Sequence, residues 1–162
     1  MSMKSWPVQV AYSRKVPCDS DAAFGAFREY KHGFGRHAGI DIYSPVGSKI
    51  IAIENGIVVH ISEFTGAPWS PQWRRTWYVM VEHDDGRVAV YGEVRKPRLK
   101  KGQVIKSGQV IGYTAKVLFG KSGHDSSMLH FELHKKGSRI SQDWVGKRPR
   151  RFLDPTKYLQ SI

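Results

Sequence analysis

The sequence predicts an all-β fold of mostly antiparallel sheets. From Gly39 onward, short runs rich in β-branched and aromatic residues recur along the chain. Tight-turn signals such as Asn55-Gly56 and Asp85-Gly86 separate these runs. Many short strands joined by tight turns are typical of a sandwich or barrel rather than of a βαβ sheet. We expect strands at residues 39–43, 49–54, 56–62, 76–82, 87–92, 110–115 and 128–134.

The chain of 162 residues fits a single domain overall, in which we expect residues 1–36 to form an N-terminal arm and residues 37–162 the main domain. The arm is expected to be irregular or to contain a short helix over residues 20–30, where Ser20 or Asp21 is a suitable cap. Longer loops are expected at residues 65–75 and 116–127. Loops of this length in a small domain are commonly functional.

The composition indicates a globular protein with an anionic partner. Hydrophobic residues make up 40% of the chain, which excludes a mainly disordered protein, and the net charge is +12. Nucleic acid, an acidic membrane surface or an acidic cell-wall polymer would all suit that charge. Trp73 and Trp77 flank Arg74 and Arg75, a mixture that can bind single-stranded nucleic acid. Because no nucleic-acid-binding motif accompanies it, nucleic acid is the less favoured partner.

Cysteine content and hydropathy exclude several other classes. Cys18 is the one cysteine, which excludes an internal disulfide and the cysteine-based zinc patterns. No stretch approaches the roughly 20 apolar residues of a membrane span. The first 16 residues also lack the apolar run of a signal peptide. We therefore expect a chain made in the cytoplasm without an export signal of its own.

Three side chains are candidates for a metal site: His37, Asp41 and His130. His37 and Asp41 lie four residues apart, and a bend at Gly39 could bring both onto one ion. Strand alternation over residues 128–134 places His130 on the face opposite the apolar residues, where a ligand could lie. Two histidines and one carboxylate with an open fourth position are typical of a catalytic zinc site. Spacing alone does not distinguish this pattern from chance.

Several motifs together resemble the lysostaphin/LytM-type zinc peptidases. The run R-H-A-G-I-D-I at residues 36–42 is similar to that family's His-x-x-x-Asp signature, and L-H-F-E-L at residues 129–133 is similar to the end of its His-x-His motif. Residues 45–58, 101–112 and 154–159 resemble further segments of the family, in the same order. The resemblance covers about residues 34–159. It implies a lysostaphin-type β-sandwich-like domain, one Zn²⁺ held by His37, Asp41 and His130, and a peptidoglycan peptide as substrate.

The sequence departs from this family at two positions. Members that cleave peptidoglycan carry two further histidines beside the zinc, and this chain has Met128 and Glu93 there. A thioether cannot transfer a proton, whereas a glutamate can act as the general base, as it does in zinc peptidases of other folds. Two alternatives stay open: a zinc endopeptidase in which Glu93 activates the water, or an inactive zinc-binding module that binds the cell wall or another partner through the same groove.

The remaining expectations concern the groove and its surroundings. Tyr91, His124 and Met128 are expected to line the substrate groove, and Arg95 to border it. His134 would lie roughly 13 Å farther along the strand than His130, too far to bind the metal. The other histidines, His32, His60 and His83, are expected to be ordinary surface or turn residues.

The resemblance also implies where the protein acts. The expected partner is peptidoglycan or another anionic cell-wall polymer, reached in the periplasm or at the cell wall. Without an export signal, delivery would require a phage or a secretion apparatus. An exported effector would in addition have an immunity or delivery protein as a partner.

Overall fold

The computed structural model describes residues 3–30, 33–120, 123 and 126–162. Within these residues the chain forms eleven strands and one short helix. The elements are β1 (Phe27–Tyr30), β2 (Gly33–Arg36), β3 (Ile40–Tyr43), β4 (Lys49–Ile51), β5 (Gly56–Glu63), β6 (Trp77–His83), β7 (Val88–Val94), β8 (Val104–Ile105), β9 (Val110–Tyr113), β10 (Met128–His134), β11 (Phe152–Leu153) and α1 (Thr156–Gln160).

The strands pair antiparallel throughout, and one seven-stranded sheet dominates. Its order is β11-β10-β7-β6-β5-β8, and β3 pairs with the first half of β10. A hairpin of β1 and β2 and a pair of β4 and β9 form two smaller sheets. The all-β expectation is confirmed, and each of the seven expected strands overlaps an observed one.

The expected helix over residues 20–30 is wrong. Residues 20–25 form turns, in which the Ala22 amide donates to the Asp19 carboxylate, and β1 begins at Phe27. Gly25 adopts a φ of 76°, which ends any right-handed helical path. The one helix of the described residues lies near the C-terminus instead. No described helix has the length and apolar character needed to cross a membrane.

The main core lies between β3, β6, β7, β10 and the N-terminal arm. Alternate residues of the central strands fill it, including Ile40, Val79, Tyr91 and Phe131. The arm contributes the buried side chains of Trp6, Val8 and Val16 to the same cluster. The arm and the sheet therefore share one core, and the division at residue 37 stays a prediction about domain organisation.

Candidate metal centre

A close approach of two backbones brings the first two metal candidates to the central sheet. Gly39 lies directly against β10, where a Cβ at this position would come within 2.4 Å of the Phe131 carbonyl oxygen. Only glycine allows this approach. Asp41, two residues later in β3, stands opposite His130 of β10 in the strand register. Directly opposed residues of antiparallel strands point to the same face, so the two side chains meet.

Three candidate ligand atoms form a nearly equilateral triangle. His37 Nε2 lies 3.1 Å from His130 Nδ1 and 3.2 Å from Asp41 Oδ1, and His130 Nδ1 lies 3.1 Å from Asp41 Oδ1. Tetrahedral zinc ligands at about 2.0 Å from the ion lie roughly 3.3 Å apart. All three side chains are buried or nearly so. The triangle therefore has the size and the donor atoms of one face of a tetrahedral zinc site.

In each of the two histidines, the ring nitrogen that points away from the triangle has its own hydrogen-bond partner. That partner determines which of the two ring nitrogens can bind a cation. His37 Nδ1 lies 2.9 Å from the Ala23 carbonyl oxygen, to which it donates. His130 Nε2 lies 2.8 Å from Glu132 Oε1 and donates to that carboxylate. In neutral rings the other nitrogens, His37 Nε2 and His130 Nδ1, then carry lone pairs directed at each other and at Asp41. Three acceptors facing one another are stabilised by a cation between them, so this donor set fits zinc.

A buried polar chain continues from His130 along β10. Glu132 Oε1 accepts from His130 and from Ser141 Oγ at 2.6 Å, and Glu132 Oε2 accepts from His134 Nε2 at 2.6 Å. His134 Nδ1 lies 2.5 Å from Ser138 Oγ. Burial alone would raise the pKa of Glu132, but hydrogen bonds from the two histidines lower it to about 2. Glu132 is thus a charged, fully satisfied support for the orientation of His130.

Glu93 occupies a bulge beside the triangle. Across β6 and β7, Trp77 opposes Val94 and Tyr78 opposes Gly92, so Glu93 has no partner in the register. Its φ is 61°, and among the described residues it is the one non-glycine with positive φ. Bulges re-aim side chains and occur next to active sites. The Glu93 side chain accordingly enters the same groove as the three metal candidates.

The environment of the Glu93 carboxyl group is unusual. Its Oε2 atom is buried and has no hydrogen-bond partner in the described part of the chain. Burial and, after it, the nearby Asp41 charge raise the pKa of Glu93 to about 8. A carboxyl group in such a position is available to bind or release a proton near neutral pH.

The groove around these residues has a volume of about 620 Å³. One side carries Arg28 and Tyr30 of β1, with Arg28 Nη2 3.6 Å from Asp41 Oδ2. Tyr30 also bonds to Asp143, whose other oxygen accepts from the Ala38 amide at 2.9 Å. The opposite side is formed by the loops around Thr65–Trp73 and Val117–Leu118.

The structure places the residues expected to line the substrate groove in different positions. Met128 lines it, opposite Tyr43 in the register. Tyr91 does not line it, because it points to the opposite face of β7 and is fully buried. There its hydroxyl accepts from the Ile53 amide at 3.0 Å and lies 3.1 Å from His83 Nε2. His83 is correspondingly buried, and it closes the turn after β6, where the Gly86 amide donates to its carbonyl at 2.8 Å.

Other expected residues lie elsewhere. His124 and His32 fall outside the described residues. Arg95 lines a separate cavity and not the metal groove. The sequence analysis did not predict the hydrogen-bonded chain of side chains from Glu132 to Ser138. The spacing His-x-Glu-x-His on one strand face was a usable signal for it.

Comparisons with known proteins place this site in context. The sequence profile described as Peptidase family M23 matches residues 35–142. A lipoprotein NlpD/LppB homolog of Pseudomonas aeruginosa is 30% identical over 102 residues, which are 63% of this chain and 30% of that protein. The murein hydrolase activator NlpD of Escherichia coli is 27% identical over 107 residues, or 66% and 25%. Lysostaphin of Staphylococcus simulans is 28% identical over 98 residues, or 60% and 18%.

The chain therefore spans less than a third of the length of these relatives. Among solved structures, the catalytic domain of lysostaphin from Staphylococcus simulans superposes with a TM-score of 0.59 at 21% identity, covering 85% of this chain and 89% of that one. The structure of LytU gives a TM-score of 0.59 at 26% identity, covering 86% and 82%. These likenesses confirm the lysostaphin-type β fold.

Proposed function

Because the chain belongs to Peptidase family M23, we propose that it is a zinc-dependent endopeptidase that cleaves the peptides of peptidoglycan, with Glu93 as its general base. The triangle of His37, Asp41 and His130 carries this proposal, since three acceptor atoms at 3.1–3.2 Å face one another with both histidine tautomers set by outer partners. A structural zinc site would normally have a fourth protein ligand. Among the described residues these three alone converge, and they do so at an open groove.

The chemistry divides between the metal and the chain's own residues. Bound zinc would supply Lewis-acid polarisation of the scissile carbonyl and acidify the attacking water. Glu93, with an unpartnered oxygen in the same groove, accepts the proton of that water. It then returns the proton to the leaving amine, the usual double role of a general base in peptide hydrolysis. A dication beside Glu93 favours its carboxylate form, which is the form that accepts a proton.

Met128 limits the expected rate. Its thioether lines the groove but donates no hydrogen bond to a developing oxyanion. Loss of one such donor costs roughly 100- to 1000-fold in rate. The proposed enzyme is therefore slow.

The test compares two glutamates of the same groove. Glu93→Gln keeps the size of the side chain but removes the base, so we expect an unchanged zinc content and a loss of peptidoglycan cleavage of at least roughly 100-fold. Glu63→Gln is the matched control, because Glu63 also lines the groove but is paired with Arg75 Nη1 at 2.6 Å. Fragment release from purified cell walls, measured by chromatography, is the readout. Zinc-loaded wild type that releases no fragments, or Glu93→Gln that releases them normally, would overturn the proposal.

A second candidate function is a binding module that controls another hydrolase through the same groove. Met128 at the position of a usual catalytic histidine favours it, as does the similarity to a protein named murein hydrolase activator NlpD. In this case the chain alone would release nothing. It would instead stimulate fragment release by an added murein hydrolase, and Glu93→Gln would stimulate it equally well.

We also propose that the protein acts in the periplasm or at the cell wall after delivery by a phage or a secretion apparatus. A delivered effector would be accompanied by an immunity or delivery protein. The net charge of +12 suits retention on an anionic wall. Bacteria that express the chain behind an added export signal should then lyse, and survival of those cells would argue against this site of action.

A further inference from the structure

A second cavity lies behind one wall of the metal groove. Trp73 and Leu118 form an antiparallel β-bridge, and the Arg74 amide donates to the Val117 carbonyl at 2.7 Å. The two long loops therefore pair as a short two-stranded ribbon. Trp73, Val117 and Leu118 line the metal groove. Residues next to them in the chain line a separate cavity of about 420 Å³, called here the cationic cavity. Its lining consists of Val46, Arg74, Arg75, Arg95, Ala115, Lys116 and Phe119.

The cationic cavity carries four positive side chains and no acidic one. Arg75 is neutralised, because it binds Glu63 and also donates to the Ala67 carbonyl at 2.9 Å. Arg95 lies against the loop at Gly47. Within residues 3–30, 33–120, 123 and 126–162, no carboxylate pairs with Arg74, Arg95 or Lys116. Three positive charges thus face one concave surface, where a bound anion would relieve their mutual repulsion.

The Arg74 guanidinium is restrained by its contact with the Phe119 ring. Its Cζ lies 5.3 Å from the centre of the Phe119 ring, within cation–π distance. Stacking restrains the guanidinium plane and leaves its N–H groups free to donate. An arginine restrained in this way loses less entropy when it binds an oxyanion.

The charge and the apolar lining together indicate the ligand. Three neighbouring cations suit a polymer that carries an anionic group on each repeat, and arginine pairs bidentately with phosphate oxygens. Phe119 is 56% exposed and Val46 47% exposed, and they offer contact to uncharged carbon atoms next to the phosphate. We propose that the cationic cavity binds the phosphate groups of a phosphodiester polymer of the cell wall. The choice of a wall polymer rests on the proposed function.

This site would hold the substrate polymer next to the groove without taking part in the reaction. A phosphodiester chain bound behind the ribbon of residues 73–75 and 116–119 keeps peptides of the same wall within reach of the groove in front. Such binding raises the local concentration of substrate on an insoluble wall. It leaves cleavage of a small soluble peptide unaffected.

The test uses the full zinc-loaded chain and three polymer probes. Poly(glycerol phosphate), poly-L-glutamate and single-stranded DNA of similar length are titrated at two salt concentrations. We expect poly(glycerol phosphate) to bind most tightly. The double variant Arg74→Gln/Arg95→Gln should weaken that binding at least roughly tenfold. Lys135→Gln/Lys136→Gln is the control, because it removes the same charge from the exposed turn after β10.

The outcomes separate this proposal from the proposed function. Equal weakening by both double variants would mean diffuse attraction to the +12 chain and would overturn the cavity as a site. Tighter binding of poly-L-glutamate or DNA would overturn a wall phosphodiester as ligand. Cleavage of a phosphate-free, cross-linked muropeptide should be unchanged in Arg74→Gln/Arg95→Gln. If wild type binds the polymer but cleaves no muropeptide, the cavity stands and the peptidase proposal falls.

Discussion

At residue 128 the groove presents the thioether of Met128, where the motif resemblance predicts an imidazole. Met128 opposes Tyr43 in the register of β3 and β10, and its side chain faces the groove beside the metal candidates. The motif resemblance predicts this residue and the three metal candidates at one site, and the structure places all four in one groove. The resemblance could not identify the Ala23 carbonyl that orients His37, because a backbone acceptor has no signature in side-chain sequence.

Restoring an imidazole at residue 128 should raise the rate. Met128→His adds a hydrogen-bond donor on the groove side of β10, so we expect cleavage of peptidoglycan to increase by up to roughly 100- to 1000-fold. Met128→Leu keeps the volume without adding a donor and should leave the rate unchanged. Both variants are compared by initial rates of fragment release at equal zinc content. No gain in Met128→His would argue for a binding module.

Gly92 and Glu93, which are adjacent in β7, show why the groove was only partly predictable. Gly92 stands opposite His130, and by simple alternation Glu93 would point to the other face. The bulge at Glu93 breaks the alternation, so the Glu93 side chain lines the groove. Tyr91 keeps the regular alternation and therefore points into the core. A single sequence does not reveal a bulge of this kind, and the error at Tyr91 follows from ignoring the alternation before it.

At the scale of elements, β10 was predictable and the N-terminal hairpin was not. Residues 128–134 alternate between apolar and polar side chains, which is the signal of a strand with two different faces. In β1 and β2 most side chains are exposed, including Phe27 and Phe34, which pack on each other at 5.2 Å. A hairpin without a buried face has no alternation to detect. Residues 20–30 likewise have a helix-like composition, but the turn at Asp19 and the positive φ of Gly25 are incompatible with a helix there.

The polar face of β10 leads to a prediction about zinc affinity. Glu132→Gln removes the charge that accepts from both His130 and His134, so His130 is less well oriented and a poorer ligand. We expect zinc affinity, measured by competition with a chelator, to fall roughly 10- to 100-fold. Glu82→Gln, a half-buried glutamate of β6, is the control and should change little. Unchanged affinity in Glu132→Gln would show that the buried chain serves folding alone.

At the scale of the whole molecule, the arm belongs to both the core and the metal centre. Trp6, Val8 and Val16 fill the core, while the carbonyls of Ala22 and Ala23 accept from the Asp41 amide and from His37 Nδ1. The family match begins only at residue 35. The family match therefore does not include the segment around Ala22 and Ala23, which holds two of the metal candidates in place.

Two truncations should separate these roles. A chain that starts at residue 19 loses the three core side chains, each worth roughly 1.5–3 kcal/mol, but keeps both carbonyls. We expect a lower unfolding midpoint and, in the folded fraction, zinc affinity close to wild type. A chain that starts at residue 35 loses both contributions, and we expect it neither to fold cooperatively nor to bind zinc tightly. Wild-type thermal stability in either truncated chain would contradict a structural role for the arm.

The backbone at residue 93 implies a conflict between durability and activity. A φ of 61° is a conformation that glycine adopts without penalty and that other residues occupy at a cost of about 1–3 kcal/mol. The buried, unpartnered Oε2 adds a further cost. Glu93→Gly should therefore raise the free energy of unfolding, by about 1–2 kcal/mol in a denaturant titration, while peptide cleavage is lost. Selection for stability alone would replace this glutamate, so under its proposed role as general base the presence of Glu93 marks a position where reactivity is kept at the expense of robustness.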